Sequence, residues 1–303
     1  MYKKLICVLY IGSVFLLMSC NSGKKGCIDK IACNYNKEAI INDGSCYYCY
    51  RNNCSRFPKH MRDCNGNCIS GSELEGICEP LESVVDIDGN RYLTVEIGQQ
   101  VWMKENLKVT KYRNGEDILT GFPDNDWANL DTGAYAVYND DIGNFNIYGN
   151  LYNWFSIGDE RGICPEGWHV PSDEEWKELE LTLGMCYGCV GSCEEWRSHD
   201  GCVDNVSRRG RYEASYIKDV RRGLWNTSYS PRNNESGFSA LPAGYRYSSN
   251  GNFGYLGRYS FFWTSTESSH DGAWYRILSS NHSSIGRYYY YKQYGFSVRC
   301  IKN

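Results

Sequence analysis

The sequence lacks an excess of charge of one sign, and it lacks long apolar runs beyond its first twenty residues. Its 303 residues include 32 Lys and Arg against 36 Asp and Glu, which gives a net charge of −4. Proteins dedicated to nucleic acid binding usually carry a strong basic excess, so the composition argues against that class. The mean hydropathy of −0.55 excludes a protein with several membrane spans.

Aromatic residues and cysteine, in contrast, are abundant. The chain has 26 Tyr, 9 Trp and 10 Phe, which excludes intrinsic disorder because disordered chains are poor in aromatics. Its 16 Cys are too many for a reducing cytosol unless they bind metal. The composition therefore predicts a folded, exported protein.

Residues 1–19 have the pattern of an export signal. Lys3 and Lys4 precede the apolar run Leu5–Met18, which is too short to span a membrane comfortably. The run ends in Leu17-Met18-Ser19-Cys20, which resembles the lipobox of bacterial lipoproteins. The resemblance implies cleavage before Cys20, lipidation of its thiol, and a lipid anchor in the outer membrane, on the periplasmic or the surface face. An ordinary secretory signal is the alternative.

Residues 20–78 form a cysteine-rich module with few large aliphatic side chains, so it needs cross-links to fold. Beyond Cys20 its cysteines are Cys27, Cys33, Cys46, Cys49, Cys54, Cys64, Cys68 and Cys78. The segments Gly26–Cys46 and Asp63–Cys78 resemble a small disulfide module of secreted bacterial proteins, which implies a stalk or spacer. Zinc binding by some of these cysteines is the alternative. We predict a linker over residues 79–84.

Residues 85–303 predict one larger domain. Val84–Ile87 and Arg91–Gly98 flank the turn residues Asp88-Gly89-Asn90, a pattern typical of a β-hairpin. The turn also contains oxygen ligands, but it lacks the spacing of an EF-hand calcium loop, so a structural turn is favoured.

Two short helices and several strands are predicted in this domain. The first helix is predicted over Tyr148–Phe155. The second begins after Ser172, which forms a capping box with Glu175, and ends near Gly184. Strands are predicted at Tyr259–Thr264, Ala273–Ser279, Arg287–Tyr291 and Phe296–Ile301. Two helices with many strands indicate the α+β class.

A family resemblance covers the whole of residues 85–303. The segments that carry it are Asp86–Asn90, Ile97–Leu107, Gly133–Tyr135, Tyr148–Trp154, Cys164–Ser172, Ser236–Pro242, Gly244–Arg246, Phe262–Glu267 and Gly295–Cys300. Together they resemble the Fibrobacter succinogenes major paralogous domain, a family similar to the C-type-lectin-like superfamily. The resemblance implies a C-type-lectin-like fold with mixed or antiparallel strands, a Cys164–Cys300 disulfide, and binding of carbohydrate or protein.

Four further cysteines lie in a segment that the family pattern does not require. They are Cys186, Cys189, Cys193 and Cys202. We interpret this segment as an insertion held by two local disulfides; a four-cysteine metal site is the alternative.

The sequence gives no catalytic signature. No Ser/His/Asp pattern occurs, and His169 belongs to the turn before the capped helix. We therefore expect a non-enzymatic protein without catalytic residues or a cofactor. The sugar-binding motifs of calcium-dependent lectins are also missing, although Asp124-Asn125-Asp126, Asp140-Asp141 and Asn144 carry oxygen ligands. We assign no metal site and regard these runs as solvated turns.

Aromatic side chains are the remaining candidates for ligand binding, because flat rings stack on sugar faces. The candidates are Trp127, Tyr247, Tyr255, Tyr259, Tyr288 and Tyr290. In the run Tyr288–Tyr291, strand alternation must place two rings on each face. Core packing is the alternative role for each ring. The expected partners are a polysaccharide or, if the role is structural or protein-adhesive, an envelope protein.

A local basic stretch is a weaker candidate, since it could meet acidic glycans. Its residues are Arg208, Arg209, Arg211, Arg221 and Arg222. We expect it to be a solvated loop and helix edge.

Overall fold

The computed structural model describes residues 82–185, 203–221, 223–226 and 232–303, together with short pieces before residue 82. The chain divides into two compact units, Met1–Leu81 and Glu82–Asn303. Cys20, the cysteines of the N-terminal module and the four cysteines of the predicted insertion lie outside the described residues. None of the helices in the described residues has the length and apolar character of a membrane span.

Two short strand pairs are described in the first unit. Strand β1 (Ile6–Val8) pairs antiparallel with β2 (Leu17–Ser19). Strand β3 (Lys25–Gly26) pairs parallel with β4 (Ile41–Asn42).

The second unit is mostly β, with a few short helices. Its strands are β5 (Ser83–Val85), β6 (Arg91–Ile97), β7 (Gln100–Met103), β8 (Tyr135–Val137), β9 (Asn150–Tyr152), β10 (Trp168–His169), β11 (Arg208–Arg209), β12 (Tyr245–Arg246), β13 (Phe253–Gly254), β14 (Tyr259–Ser269), β15 (Gly272–Ser279), β16 (Ile285–Tyr291) and β17 (Ile301–Lys302). Its helices are α1 (Asp124–Ala128), a 3₁₀ turn (Tyr138–Asp140), α2 (Ile142–Tyr148), α3 (Trp154–Ile157), α4 (Asp173–Thr182) and α5 (Glu213–Ile217). This combination of strands and short helices confirms the α+β class. The prediction of only two helices was wrong.

A five-stranded antiparallel sheet joins the two ends of the second unit. Its strand order is β10-β17-β7-β6-β5, and Ile301 of β17 lies opposite Trp102 of β7. The predicted β5–β6 hairpin is confirmed. At its turn the Asp86 carboxylate accepts hydrogen bonds from the backbone N–H groups of Asp88 (3.0 Å) and Asn90 (2.9 Å). The Asp86 carboxylate therefore stabilises this turn. Strand β5 also begins within the predicted linker, at Ser83.

A four-stranded antiparallel sheet, ordered β11-β16-β15-β14, contains three of the four predicted C-terminal strands. The fourth prediction, Phe296–Ile301, was wrong over most of its length. Phe296 exchanges two backbone hydrogen bonds with Tyr152, whereas Ser297 bonds to the backbone of Phe261. Because successive residues have different partners, they form isolated bridges instead of one ladder, and a strand forms only at Ile301.

The two helix predictions had different outcomes. The capping box is confirmed: Ser172 Oγ accepts from the Glu175 N–H at 3.2 Å, and Glu175 Oε2 accepts from the Ser172 N–H at 2.7 Å. The predicted helix Tyr148–Phe155 is instead split into β9 and α3. The reason is Asn153, whose side chain caps α3 by accepting from the Ser156 N–H, so the helix begins only at Trp154.

The core of the second unit has two main clusters. One contains Trp263, Tyr275 and Phe296 together with the Cys164–Cys300 disulfide. This bridge, which the family resemblance implied, is confirmed. The second cluster packs Trp176 of α4 against Trp102 and Phe238.

The sequence suggested that the basic stretch is a solvated loop and helix edge, and this prediction was wrong for part of the stretch. Arg209 is fully buried and donates to the buried Glu180 carboxylate at 2.7 Å. Arg221 pairs with Asp219 at 3.0 Å. Arg222 lies outside the described residues. Alternation along β11 explains the difference, since it turns Arg209 inward.

Candidate ligand-binding site

Five of the six aromatic residues predicted to bind a ligand lie in one group of rings. We define the tyrosine surface as Tyr245, Tyr247, Tyr255, Tyr259, Tyr288 and Tyr290. Tyr245 is its centre, with ring centroids 5.6 Å from Tyr247 and 5.4 Å from Tyr255. Tyr255 in turn lies 5.1 Å from Tyr259. These spacings are typical of interacting aromatic pairs.

Buried rings form the floor of the tyrosine surface and connect its parts. Tyr294 lies 5.2 Å from Tyr247 and 4.3 Å from Tyr290. Tyr275 lies 6.2 Å from Tyr288. Both floor residues belong to the first core cluster. The upper rings therefore rest on a packed layer, which holds them in fixed positions.

Strand β16 divides its tyrosines between two faces, as predicted. Tyr288 and Tyr290 face the tyrosine surface, and their neighbour Tyr289 packs on Trp274 at 5.4 Å on the other face. The exposed fractions are 39% for Tyr290 and 55% for Tyr289. Period-two alternation accounts for this arrangement.

Tyr255 has a backbone conformation that is unusual for a bulky residue. Its φ is +65°, in the left-handed region, while 48% of the residue is exposed. Its carbonyl accepts hydrogen bonds from the N–H groups of Arg258 (2.9 Å) and Tyr259 (3.1 Å). This turn keeps the ring at the surface, and such strained positions are often found at functional sites.

A pocket of about 310 Å³ borders the tyrosine surface. Its described lining residues are Asn226, Tyr255, Arg258, Tyr259, Ser280 and Asn281. Two aromatic rings thus meet two amides, a hydroxyl and a guanidinium. Small-molecule sites combine apolar surfaces and a few polar groups in this way.

Three tyrosines at the centre and in the floor of the surface have a raised pKa. Burial, assisted by the neighbouring tyrosines Tyr255 and Tyr247, raises the pKa of Tyr245 to about 12. Burial likewise raises the pKa of Tyr275 and of Tyr294. These hydroxyls can therefore donate as well as accept hydrogen bonds.

Trp127 does not belong to this surface, and the prediction that its ring binds a ligand was wrong. It is fully buried, and its indole N–H donates to the Gln293 carbonyl at 2.8 Å. The guanidinium of Arg246 lies 4.4 Å from its ring centroid and donates to the Gly251 carbonyl. Trp127 thus packs against Arg246, which in turn stabilises the turn after Tyr247.

The acidic runs that could have held calcium have structural partners. Asp124 pairs with Arg246 at 3.2 Å, and Asp141 caps α2 by accepting from the Gly143 N–H. Asn144 donates to the Tyr138 carbonyl. No cluster of three or more potential metal ligands occurs within the described residues.

Sequence reasoning missed Tyr245 and the polar lining of the pocket. Tyr245 lies two residues before Tyr247, so strand alternation was a usable signal for it. Arg258, Asn226 and Asn281 had no such signal, because the pocket brings together distant parts of the chain.

The family model of the Fibrobacter succinogenes major domain matches residues 95–302, which is more than half of the chain. The chain therefore belongs to this family. No curated protein and no solved structure matches it.

Proposed function

We propose that this member of the Fibrobacter succinogenes major domain family is a cell-envelope protein whose tyrosine surface binds carbohydrate. One observation carries the proposal: the five tyrosines that the sequence predicts to bind a ligand lie in a single group of rings that borders a pocket with polar lining. The pocket is what distinguishes this group from tyrosines that only pack in the core.

The chemistry of the surface suits a sugar better than an apolar ligand. Tyr255 and Tyr259 offer ring faces and edges for the C–H groups of a sugar ring. Asn226, Ser280 and Asn281 supply donors and acceptors for its hydroxyls. We propose that binding is independent of calcium, a view supported by the structural partners of Asp124 and Asp141.

We also propose that the second unit has a C-type-lectin-like fold. Two features support this: the last strand, β17, pairs with the early strand β7, and Cys164 is bridged to Cys300. Pairing of the chain ends is what the family resemblance implies for that fold.

We propose that the protein is an exported, non-enzymatic lipoprotein anchored in the outer membrane through Cys20. The sequence Leu17-Met18-Ser19-Cys20 motivates this proposal, and the Cys164–Cys300 bridge is consistent with an oxidising compartment. Metabolic labelling with a fatty acid should mark the wild-type protein, and Cys20→Ser should abolish the label. Equal labelling of both proteins would contradict the anchor.

The carbohydrate proposal is tested by binding to a panel of polysaccharides with calcium and with a chelator. Tyr255→Ala should weaken binding, since it removes an exposed ring at the pocket. Tyr289→Ala is the matched control, because it removes a similarly exposed ring from the other face of β16. Equal effects of the two substitutions would contradict the assignment of the surface.

Protein adhesion is a second candidate, and exposed rings of β16 favour it. Tyr289 and Tyr291 are 55% and 58% exposed. Tyrosine is enriched at protein interfaces. Under this alternative, binding to envelope proteins would depend on Tyr289 and Tyr291, and polysaccharides would not compete.

A further inference from the structure

The pocket beside the tyrosine surface is lined by a cationic side chain, Arg258, that forms no ion pair with the described residues. Arg258 is exposed, and within the described part of the chain its guanidinium makes no hydrogen bond or ion pair. Among the described residues that line the pocket, none is acidic. Its five potential N–H donors are thus available to a ligand.

We propose that this pocket accepts a negatively charged sugar residue, with Arg258 as the ion-pair partner of its carboxylate or sulfate group. Tyr255 and Tyr259 would then pack against the sugar ring. This inference rests on the proposed function and narrows the ligand class to acidic glycans.

The backbone fixes Arg258 at the edge of the pocket. Its N–H donates to the Tyr255 carbonyl at 2.9 Å, and its own carbonyl accepts from the Ser280 N–H at 2.7 Å. Ser280 also lines the pocket. Backbone hydrogen bonds therefore hold Arg258 to both sides of the pocket, so a bound anion would contact a guanidinium whose backbone is fixed. A fixed backbone lowers the entropic cost of binding.

Further cations surround the loop that carries Ser280 and Asn281. The next residue is His282, whose carbonyl accepts a hydrogen bond from the buried Lys218 ammonium. Burial, together with the charges of Arg208 and Lys218, lowers the pKa of His282. A buried guanidinium nitrogen of Arg208, Nη1, has no hydrogen-bond partner. The guanidinium of Arg208 thus adds positive charge near this loop, which favours an anionic ligand.

Charge is the feature that would separate acidic from neutral sugars here. Amides and hydroxyls recognise the hydroxyl groups of both classes. The guanidinium adds a charge-assisted, forked contact that only an anionic group can complete. Removing it should therefore weaken binding of acidic glycans and leave binding of neutral glycans nearly unchanged.

The experiment measures affinities of the purified protein by calorimetry for two matched pairs of polymers. The first pair is polygalacturonate and its fully methyl-esterified form, which differ in the carboxylate charge. The second is dextran sulfate and dextran, which differ in the sulfate. Arg258→Gln is the test variant, and Lys302→Gln is the control that removes one exposed positive charge from β17.

We expect at least one charged polymer to bind roughly tenfold or more tightly than its neutral partner. Arg258→Gln should abolish most of that preference, whereas Lys302→Gln should preserve it. The first pair tests the carboxylate and the second the sulfate.

Equal affinity for charged and neutral polymers, or equal effects of the two substitutions, would overturn the inference. If neutral polymers bind through Tyr255 and not through Arg258, the inference fails while the proposed function stands. If no polymer binds, both fail.

Discussion

The Oδ1 atom of Asp173 lies 2.6 Å from Nη1 of Arg276 in the interior of the second unit. The contact joins the first residue of α4 to the middle of β15. Arg287 of β16 donates to the same carboxylate at 2.6 Å. Arg276 has Glu180 as a second carboxylate partner at 2.6 Å, whereas Arg287 pairs with Asp173, so loss of the Asp173 charge would leave Arg287 uncompensated in the core.

The first prediction concerns acid stability. Burial alone would raise the pKa of Asp173, but the hydrogen bonds and charges of Arg287 and Arg276 outweigh it and lower the pKa to about 2. A carboxylate with a lowered folded-state pKa stabilises the protein above its ordinary pKa, and this stabilisation is lost as the pH falls toward 2. Asp173→Asn should cost about 3–5 kcal/mol in free energy of unfolding at pH 7, measured by urea denaturation.

The matched control is Asp117→Asn, which removes an exposed carboxylate 3.8 Å from Lys111. Its effect should stay below about 0.5 kcal/mol. The difference in stability between wild type and Asp173→Asn should shrink between pH 4 and pH 2. A difference that does not depend on pH would contradict the role of the Asp173 charge.

The second prediction concerns Lys218 and alkaline pH. Burial, followed by the charges of Arg232 and Arg208, lowers the pKa of this fully buried lysine to about 7. The unfolded chain therefore binds more protons than the folded one between pH 7 and the ordinary pKa of 10.5. Stability attributable to Lys218 should rise with pH across this range.

The free energy of unfolding of the wild type, measured by urea denaturation, should rise by on the order of 2 kcal/mol between pH 7 and pH 9 because of Lys218. Lys218→Met has a similar volume and cannot titrate, so its stability should change less over the same interval. Identical pH profiles for the two proteins would refute the assignment.

The third prediction concerns the Cys164–Cys300 disulfide, which joins residues 136 positions apart. Closing a loop of this length restricts the unfolded chain, an effect of about 4–5 kcal/mol in the chain-entropy model. The double variant Cys164→Ala/Cys300→Ala removes the bridge without leaving a free thiol. Its free energy of unfolding should fall by an amount of that order, and a value equal to wild type would argue against a stabilising bridge.

Local signals in the sequence were sufficient for the features that depend on neighbouring residues. The capping box of Ser172 and Glu175, the turn at Gly89 and the alternation of the β16 tyrosines all involve residues within a few positions of one another. The Cys164–Cys300 bridge is a long-range contact, and it was expected through the family resemblance and not from spacing.

Long-range packing accounts for the failures. Trp127 is the type of aromatic residue that binds ligands, but the guanidinium of Arg246 packs over its ring. No residue near position 127 in the sequence indicates this contact with Arg246. Phe296 forms backbone bonds with Tyr152, far away in sequence, so its strand prediction failed. Arg258 gained significance only when the fold brought Ser280 and Asn281 to its side.

The most direct test of the carbohydrate-binding surface compares three forms of the purified protein on one panel of soluble polysaccharides, with calcium and with chelator. The forms are wild type, the double variant Tyr255→Ala/Tyr259→Ala, and the control Tyr289→Ala. The account predicts saturable binding by wild type that survives chelation, a loss of roughly tenfold or more in the double variant, and near-normal binding by the control. Binding that disappears with the chelator, or that the double variant retains in full, would contradict it.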